Sequence, residues 1–470
     1  MDSRQILKSL TTKYRNNHKK SEQFFKKACR YQIRGGSHNL RLFSPFPFYV
    51  QECSGSKIKD IDGHTYIDFW QGHFANILGH NPQFVIKTLV EYFKKGQGLA
   101  TGFPDPHQAD LAELILTQLK TDKIRFTTSG TLASMYGVML AKAFTNRKLV
   151  MKVGGGWHGA QPYLLKGISV YDQGFNRIES AGLPDEIEAM IIITRFNDKE
   201  DLEEKFRVFG DQIACLIIEP FLGAGGFIFA DQGYLQKARE LTSQYGSILI
   251  FDEVVSGFRF HPGGVQTLYG IQPDLTILGK AIGGGMPVSA VAGRQEIMAL
   301  CSPNIKIKGK VKFEGGTFSA HPASMLAGAT FLKYLIIHAS EIYPRLGQMG
   351  DMLRTEIEKI FSHYGFNVKC TGYGLPIIKH SSCVGVQFLR REIGQVKYAD
   401  QVWNPEITDI EMREKLFKLT MLEEGFNIFH GYGAVSGAHT EEEIQFSIDA
   451  VEKIAKKWNK LNIHQPIKSP

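Results

Sequence analysis

The sequence predicts an α/β protein with a large domain built on a mostly parallel sheet and a smaller α+β domain formed from both chain ends. Three observations predict it. Between Ile124 and about Gly328, short β-branched runs alternate with helical stretches, the pattern of a parallel sheet covered by helices. The stretches on either side mix short strands with amphipathic helices instead. The chain has 470 residues, 43% of them hydrophobic, more than one core requires, so two or three packed units are expected.

In chain order, an N-terminal helix leads to short strands at Tyr49 to Val50, Lys57 to Asp60 and Thr65 to Phe69, then to helical segments. The sheet strands follow at Ile124 to Phe126, Lys148 to Val153, Met190 to Thr194, Ile213 to Glu219, Ser247 to Asp252 and Leu275 to Leu278. After Ser324 come one long helix, strands near Asn367 to Cys370 and Cys383 to Phe388, and a closing amphipathic helix from Glu441 to Leu461. The expected organisation is a basic extension over 1–20, a segment over 21–100 that contributes to the small domain, a large domain over 101–330 and the C-terminal small domain over 331–470. No repeat of solenoid or propeller period is present, and the longest irregular stretch, Gly167 to Glu186, is too short to split the chain.

Composition excludes several classes. The 48 glycines follow no Gly-X-Y period, and no run of about 18 apolar residues could span a membrane. The net charge of +8 resides entirely in residues 1–34, where ten Lys and Arg face only Asp2 and Glu22. A nucleic-acid or anionic-membrane role would rest on that arm alone, and the arm lacks aromatic interleaving, so a solvated helical face or a docking arm is expected. A transit peptide stays open as an alternative although the arm is Lys-rich and contains Glu22, a secretory signal fails for want of an apolar core in Met1 to Leu10, and a cytoplasmic location is expected. Six cysteines without a C-x-x-C pair or clustered histidines predict neither a disulfide framework nor a metal site; Cys215, inside an apolar run, reads as a small core hydrophobe.

Two strand ends carry the chemistry. One buried run ends in Asp252 and another in Gly279-Lys280, and in open α/β sheets ligands bind beyond the carboxyl ends of strands, so both side chains should face one crevice. Lys280 opens a glycine-rich loop, but a Walker A loop needs Gly six residues earlier and Ser or Thr next, where Asp274 and Ala281 stand. The functional reading that survives is a lysine forming a Schiff base with a carbonyl cofactor such as pyridoxal phosphate, with Asp252 keeping the pyridine nitrogen protonated; the bland one is a surface Lys and a capping Asp. Thr127-Thr-Ser129-Gly130-Thr131 precedes a helix, which makes an anion site or a plain cap. The rival is a nicotinamide enzyme, because Gly154-Gly-Gly-Trp157-His158-Gly159 satisfies G-x-G-x-x-G with Asp172 downstream, although Pro162 interrupts the helix that motif must open. Trp157 suits a ring-stacking platform.

The segments Ile218-Glu-Pro220, Phe251 to Arg259, Pro273 to Gly285 and Gly316-Thr317-Phe-Ser resemble class III pyridoxal-phosphate aminotransferases of fold type I. Ser21 to Ala28, Ile61-Asp-Gly63, Ile77-Leu-Gly-His80 and Gly437-Ala-His-Thr440 extend the likeness over nearly the whole chain, nearest to the glutamate-1-semialdehyde aminomutase-like members. The resemblance implies pyridoxal 5'-phosphate as cofactor, Lys280 as its covalent lysine, Asp252 at the pyridinium, and Ser129, Gly130 and Thr131 at the phosphate. It further implies Trp157 on one ring face, Val254 on the other, Glu219 supporting the surroundings, and a homodimer in which Thr317 reaches the neighbouring subunit's phosphate. Leu132, Trp157 and Ser319-Ala-His321-Pro322 depart from the aminomutase pattern, and the segment after Gly167 is shorter than the aminomutase's gating loop. A short lid makes retention of an intermediate harder, so transfer between an amine or amino acid and a separate carbonyl acceptor is expected, with the aminomutase reaction as the alternative. A non-catalytic pyridoxal-binding protein also stays open. Arg41, near the position of a carboxylate-binding arginine, and His73, beside Phe74, are the expected substrate residues.

Overall fold

The computed structural model describes residues 3–463 except 101, 172–173 and 307–308. Strands β1 (Val50–Ser54), β2 (Lys57–Asp60) and β3 (Thr65–Asp68) form an antiparallel meander. The large sheet draws on β4 (Lys123–Thr127), β5 (Leu149–Val153), β6 (Ile191–Thr194) and β7 (Ile213–Ile218). A two-residue ribbon, β8 (Phe221–Leu222) with β9 (Ile228–Phe229), intervenes before β10 (Ile248–Glu253), β11 (Leu275–Leu278) and β12 (Ser289–Gly293). The sheet order is β4-β12-β11-β10-β7-β5-β6, parallel throughout except that β12 runs against both its neighbours. Strands β7, β10, β11 and β12 are buried along their whole length, as apolar strands covered by helices on both faces must be.

The C-terminal region adds β13 (Val368–Thr371) and β14 (Cys383–Phe388), with short strands β15 (Phe426–Asn427) and β16 (Gly433–Ala434). β15 pairs in parallel with β3, so the two chain ends share one sheet, the α+β cap that the flanking patterns predict. The expected single helix after Ser324 is two, Pro322–Ile337 and Ala339–His363, because His338 leaves the helical region at φ −100° and ψ 19°. Strand β12 escapes a reading by β-branched runs, since Ser-Ala-Val-Ala-Gly holds a single β-branched residue.

The N-terminal arm folds as helices Ser3–Asn17 and Lys19–Ala28. Ile6, Leu10 and Tyr14, spaced four apart on one helix face, are buried in the main core, while all ten basic side chains of residues 1–34 are exposed. The arm docks through its apolar stripe and keeps its charge in water. Cys215 is fully buried in the core, as expected of a small hydrophobe.

Candidate active site

The carboxyl ends of β5, β7, β10 and β11 open on one cleft of about 570 Å³. It is lined by Ser129, Gly130, Thr131, Trp157, Glu219, Asp252, Val254, Lys280, Arg41 and His73, which brings together every sequence-predicted site residue but one. Thr317 stands exposed in a turn ahead of helix Pro322–Ile337 and does not line the cleft of its own chain.

Asp252 lies one residue before the end of β10, and its neighbour Glu253 points to the opposite face, where it accepts the backbone N–H groups of Val265 and Gln266. Asp252 Oδ2 accepts from His158 Nδ1 at 2.7 Å, and Oδ1 accepts the Val254 N–H at 3.0 Å. Burial pushes the His158 imidazole below the usual histidine range against the pull of Asp252, so the ring is a neutral donor at Nδ1; its Nε2 has no partner among the described residues. The buried Glu219 receives the backbone N–H of Trp157 at 2.8 Å and of Gly223 at 3.0 Å, and so fixes the loop that carries the indole. Burial and the nearby Asp252 raise its pKa above the usual carboxylate range.

Lys280 leaves β11 at φ 48°, in the left-handed region that costs a side chain-bearing residue about 1–3 kcal/mol and that persists where surrounding structure enforces it. Burial lowers its pKa below the lysine range; Asp252 and Glu219 act against that, and Arg259 adds to it. A second strained element faces it. Gln71, Gly72, His73 and Phe74 run consecutively at positive φ, a left-handed turn pinned by Asp68, which accepts the Trp70 and Gln71 N–H groups, and by Arg259, which donates to the Phe74 carbonyl. That turn presents His73 to the cleft, where Arg41 Nε donates to its Nε2 at 3.3 Å. Burial together with His38, Arg41 and Lys280 depresses His73 to about 3, so it is neutral and able to accept.

The cleft fits pyridoxal phosphate. Ser129 caps helix Gly130–Thr145, its Oγ accepting the Leu132 N–H, and the first backbone donors of that 16-residue helix open on the cleft as an anion site. The cap is thus observed at Ser129, and the same helix start faces the cleft where an anion would bind. A Cβ at Gly130 would come within 3.2 Å of Val254, and one at Gly279 within 2.8 Å of Ser289, so both positions are crowded for any larger residue. Trp157, still 42% exposed, and Val254 provide the flat and branched surfaces an aromatic ring requires.

The loop at 154–159 does not open a helix: a 3-10 turn at Pro162–Leu164 follows it, and so the G-x-G-x-x-G reading fails for lack of a helix N-terminus. Asp172, the acid of that reading, lies outside the described residues. His158 is the principal group that sequence reasoning missed as a site residue. Its signal was position, one residue from Trp157 in the loop after a sheet strand.

Residues 41–378 match the model of the aminotransferase class-III family. The glutamate-1-semialdehyde 2,1-aminomutase of Thermoplasma volcanium is 35% identical over 439 residues, covering 92% of this chain and 98% of its own. Among solved structures, a β-phenylalanine aminotransferase from Variovorax paradoxus superposes with a TM-score of 0.85 at 26% identity, over 98% of this chain and 99% of its own. An omega-transaminase from Sphaerobacter thermophilus gives 0.83 at 28%, over 94% and 98%. The chain belongs to the class-III aminotransferases, pyridoxal-phosphate enzymes of fold type I.

Proposed function

We propose that the enzyme transfers an amino group from an amine or amino acid to a separate carbonyl acceptor. The observation that carries the reading is the convergence of Lys280, the Asp252–His158 pair and the N-terminus of helix Gly130–Thr145 on one cleft that Arg41 also lines. Pyridoxal phosphate, when bound, supplies an aldehyde for the amine and a ring that withdraws electrons. Lys280 Nζ is the amine that would hold it and, with its pKa lowered by burial, the group that moves a proton. Asp252, kept in place by His158, holds negative charge at the base of the cleft, Ser129, Gly130 and Thr131 hold the phosphate, and Trp157 and Val254 cover the ring faces. Arg41 grips a substrate carboxylate beside a neutral His73.

Transfer between two substrates is favoured over internal exchange by the excursion after Gly167. Its described residues fold back on themselves, Gly167 N–H donating to the Arg177 carbonyl and Tyr171 to Gly174, and none of them lines the cleft. The aminomutase reading is favoured by the names of the relatives at 33–38% identity. One experiment separates the two. Amines added to the holoenzyme should bleach its yellow absorbance and release one equivalent of carbonyl product, and a keto acid should restore the colour; isomerisation without carbonyl release would show the aminomutase reaction instead.

The exposed Thr317 supports a homodimer completed across the interface. Mixing Lys280→Ala with Thr317→Ala chains should then restore up to one good site per dimer, and no recovery would place Thr317 in its own chain's site.

A further inference from the structure

We propose that Lys418 is an anion-binding residue of the substrate site, and that the amine this enzyme takes carries a carboxylate at its far end, which reaches Lys418 through a side cavity behind the cleft. The inference rests on the aminotransferase reading above and deepens it.

The side cavity has a volume of about 600 Å³ and shares His38, Arg41, Trp70 and Gly72 with the cleft, so the two spaces meet along one edge. Its walls are largely apolar, formed by Phe43, Phe48, Pro47, Val50 and Ile58, and Lys418 lines it among them. Lys418 is only 8% exposed. Its ammonium lies 4.4 Å from the centre of the Phe43 ring and 5.4 Å from that of Phe429, the latter a lining residue of the cleft that stacks on Trp70 at 4.7 Å.

A buried ammonium normally has an acid beside it, because an unpaired charge out of water costs several kcal/mol. The Lys418 ammonium has no hydrogen bond or ion pair among the described residues, and the nearby acids are committed elsewhere. Asp68, which lines the same cavity, accepts from the Trp70 and Gln71 N–H groups, Asn427 Nδ2 and His80 Nε2. Glu414 accepts from Arg413 Nε at 2.7 Å and lies 3.3 Å from His430 Nδ1. Burial lowers Lys418 to about 8 against the pull of Glu414, which leaves it mostly charged at neutral pH. The backbone ahead of it is also unusual. Met412–Phe417 is π-helical, and one extra residue in the winding turns the following side chains by about 100° relative to an uninterrupted α-helix.

A cation with rings on two sides, in a largely apolar cavity that meets the cleft holding Lys280, suits a chain of methylenes ending in a carboxylate. Arg41, at the junction of the two spaces, is left to a carboxylate next to the reacting amine.

The test uses holoenzyme and matched probes: straight-chain ω-aminocarboxylates from aminobutyrate to aminooctanoate, each against the alkylamine of the same chain length. The rate at which each bleaches the cofactor absorbance is measured for wild type, Lys418→Met and Lys418→Arg. Wild type should favour the best-fitting aminocarboxylate over its alkylamine by about thirtyfold or more. Lys418→Met should bring that ratio close to one, and Lys418→Arg should keep part of it. A second readout needs no chemistry: hexanoate titrated into holoenzyme should give a calorimetric binding signal that Lys418→Met loses. Failure of every amine to react with wild type overturns the aminotransferase reading, and the inference with it. Alkylamine reaction with no carboxylate preference, or a preference that survives Lys418→Met, overturns the inference alone.

Discussion

The N-terminal arm and the cleft treat charge in opposite ways. The arm carries the protein's entire net charge, yet its basic side chains stand in water and its helix is held by Ile6, Leu10 and Tyr14. The cleft lies in the part of the chain where acids and bases balance, and there a few groups are removed from water and imperfectly matched: Lys280, Glu219 and His158. Chemistry follows the second arrangement, because a charge in water is cheap and unresponsive whereas a desolvated one shifts its proton affinity.

If the charges of the two regions mattered equally, substitutions in either would cost alike. The largest effect is expected at Asp252, where Asn preserves shape and removes the negative charge. Turnover should fall by about a thousandfold with unchanged circular dichroism, and His158→Phe, which removes only the group that positions the carboxylate, should cost about tenfold to a hundredfold. An Asp252→Asn enzyme with near-normal turnover would reject the charge role. In the arm, Leu10→Ala should lower stability by about 2–4 kcal/mol in denaturant titration and leave turnover intact. Lys13→Ala should change stability by less than about 1 kcal/mol, since its 3.5 Å pair with Glu423 holds a lysine side chain that is 62% exposed.

A smaller effect is expected at a buried polar contact of the arm, where His18 meets Asp60. Asp60 is pushed up by burial, but hydrogen bonds from His18, the His64 N–H and the His64 ring hold it at about 2, against 3.8 for a free aspartate. The unfolded chain therefore binds more protons between those values. Stability from this contact is present above about pH 4 and is lost as the pH falls towards 2; His18→Ala should flatten the acid limb of a pH-dependent unfolding series.

Much of this was legible in the residues. The strands of the parallel sheet are apolar and β-branched, and buried strands announce themselves that way; Asp252 and Lys280 interrupt such runs at their ends, where only a ligand crevice makes use of them. What stayed hidden depends on distant parts of the chain meeting. His158 gains its meaning from a carboxylate 94 residues away. The left-handed turn at 71–74 is enforced by Asp68 and by Arg259, and only one of its four residues is a glycine that would advertise it. Lys418 sits at a helical position whose burial depends on Phe43 from the far end of the chain. Strand β12 shows the same limit at the level of fold, because its small residues are chosen by the neighbours that flank it and not by strand propensity.

Under the proposed function, the geometry of the cleft, more than proton affinity, selects the working lysine. Four lysines have a lowered proton affinity: Lys280; Lys142, whose Nζ donates to the Lys148 carbonyl; Lys418, lowered to about 8; and Lys152, lowered to about 7 by full burial, its Nζ donating to the Gly156 and Lys166 carbonyls. Only Lys280 shares the cleft with Asp252 and the N-terminus of helix Gly130–Thr145. Borohydride reduction of the holoenzyme followed by peptide mapping decides among them. The cofactor's mass is expected on the Lys280 peptide alone and should disappear in Lys280→Ala. A label on Lys152, on Lys418 or on any other lysine would contradict it.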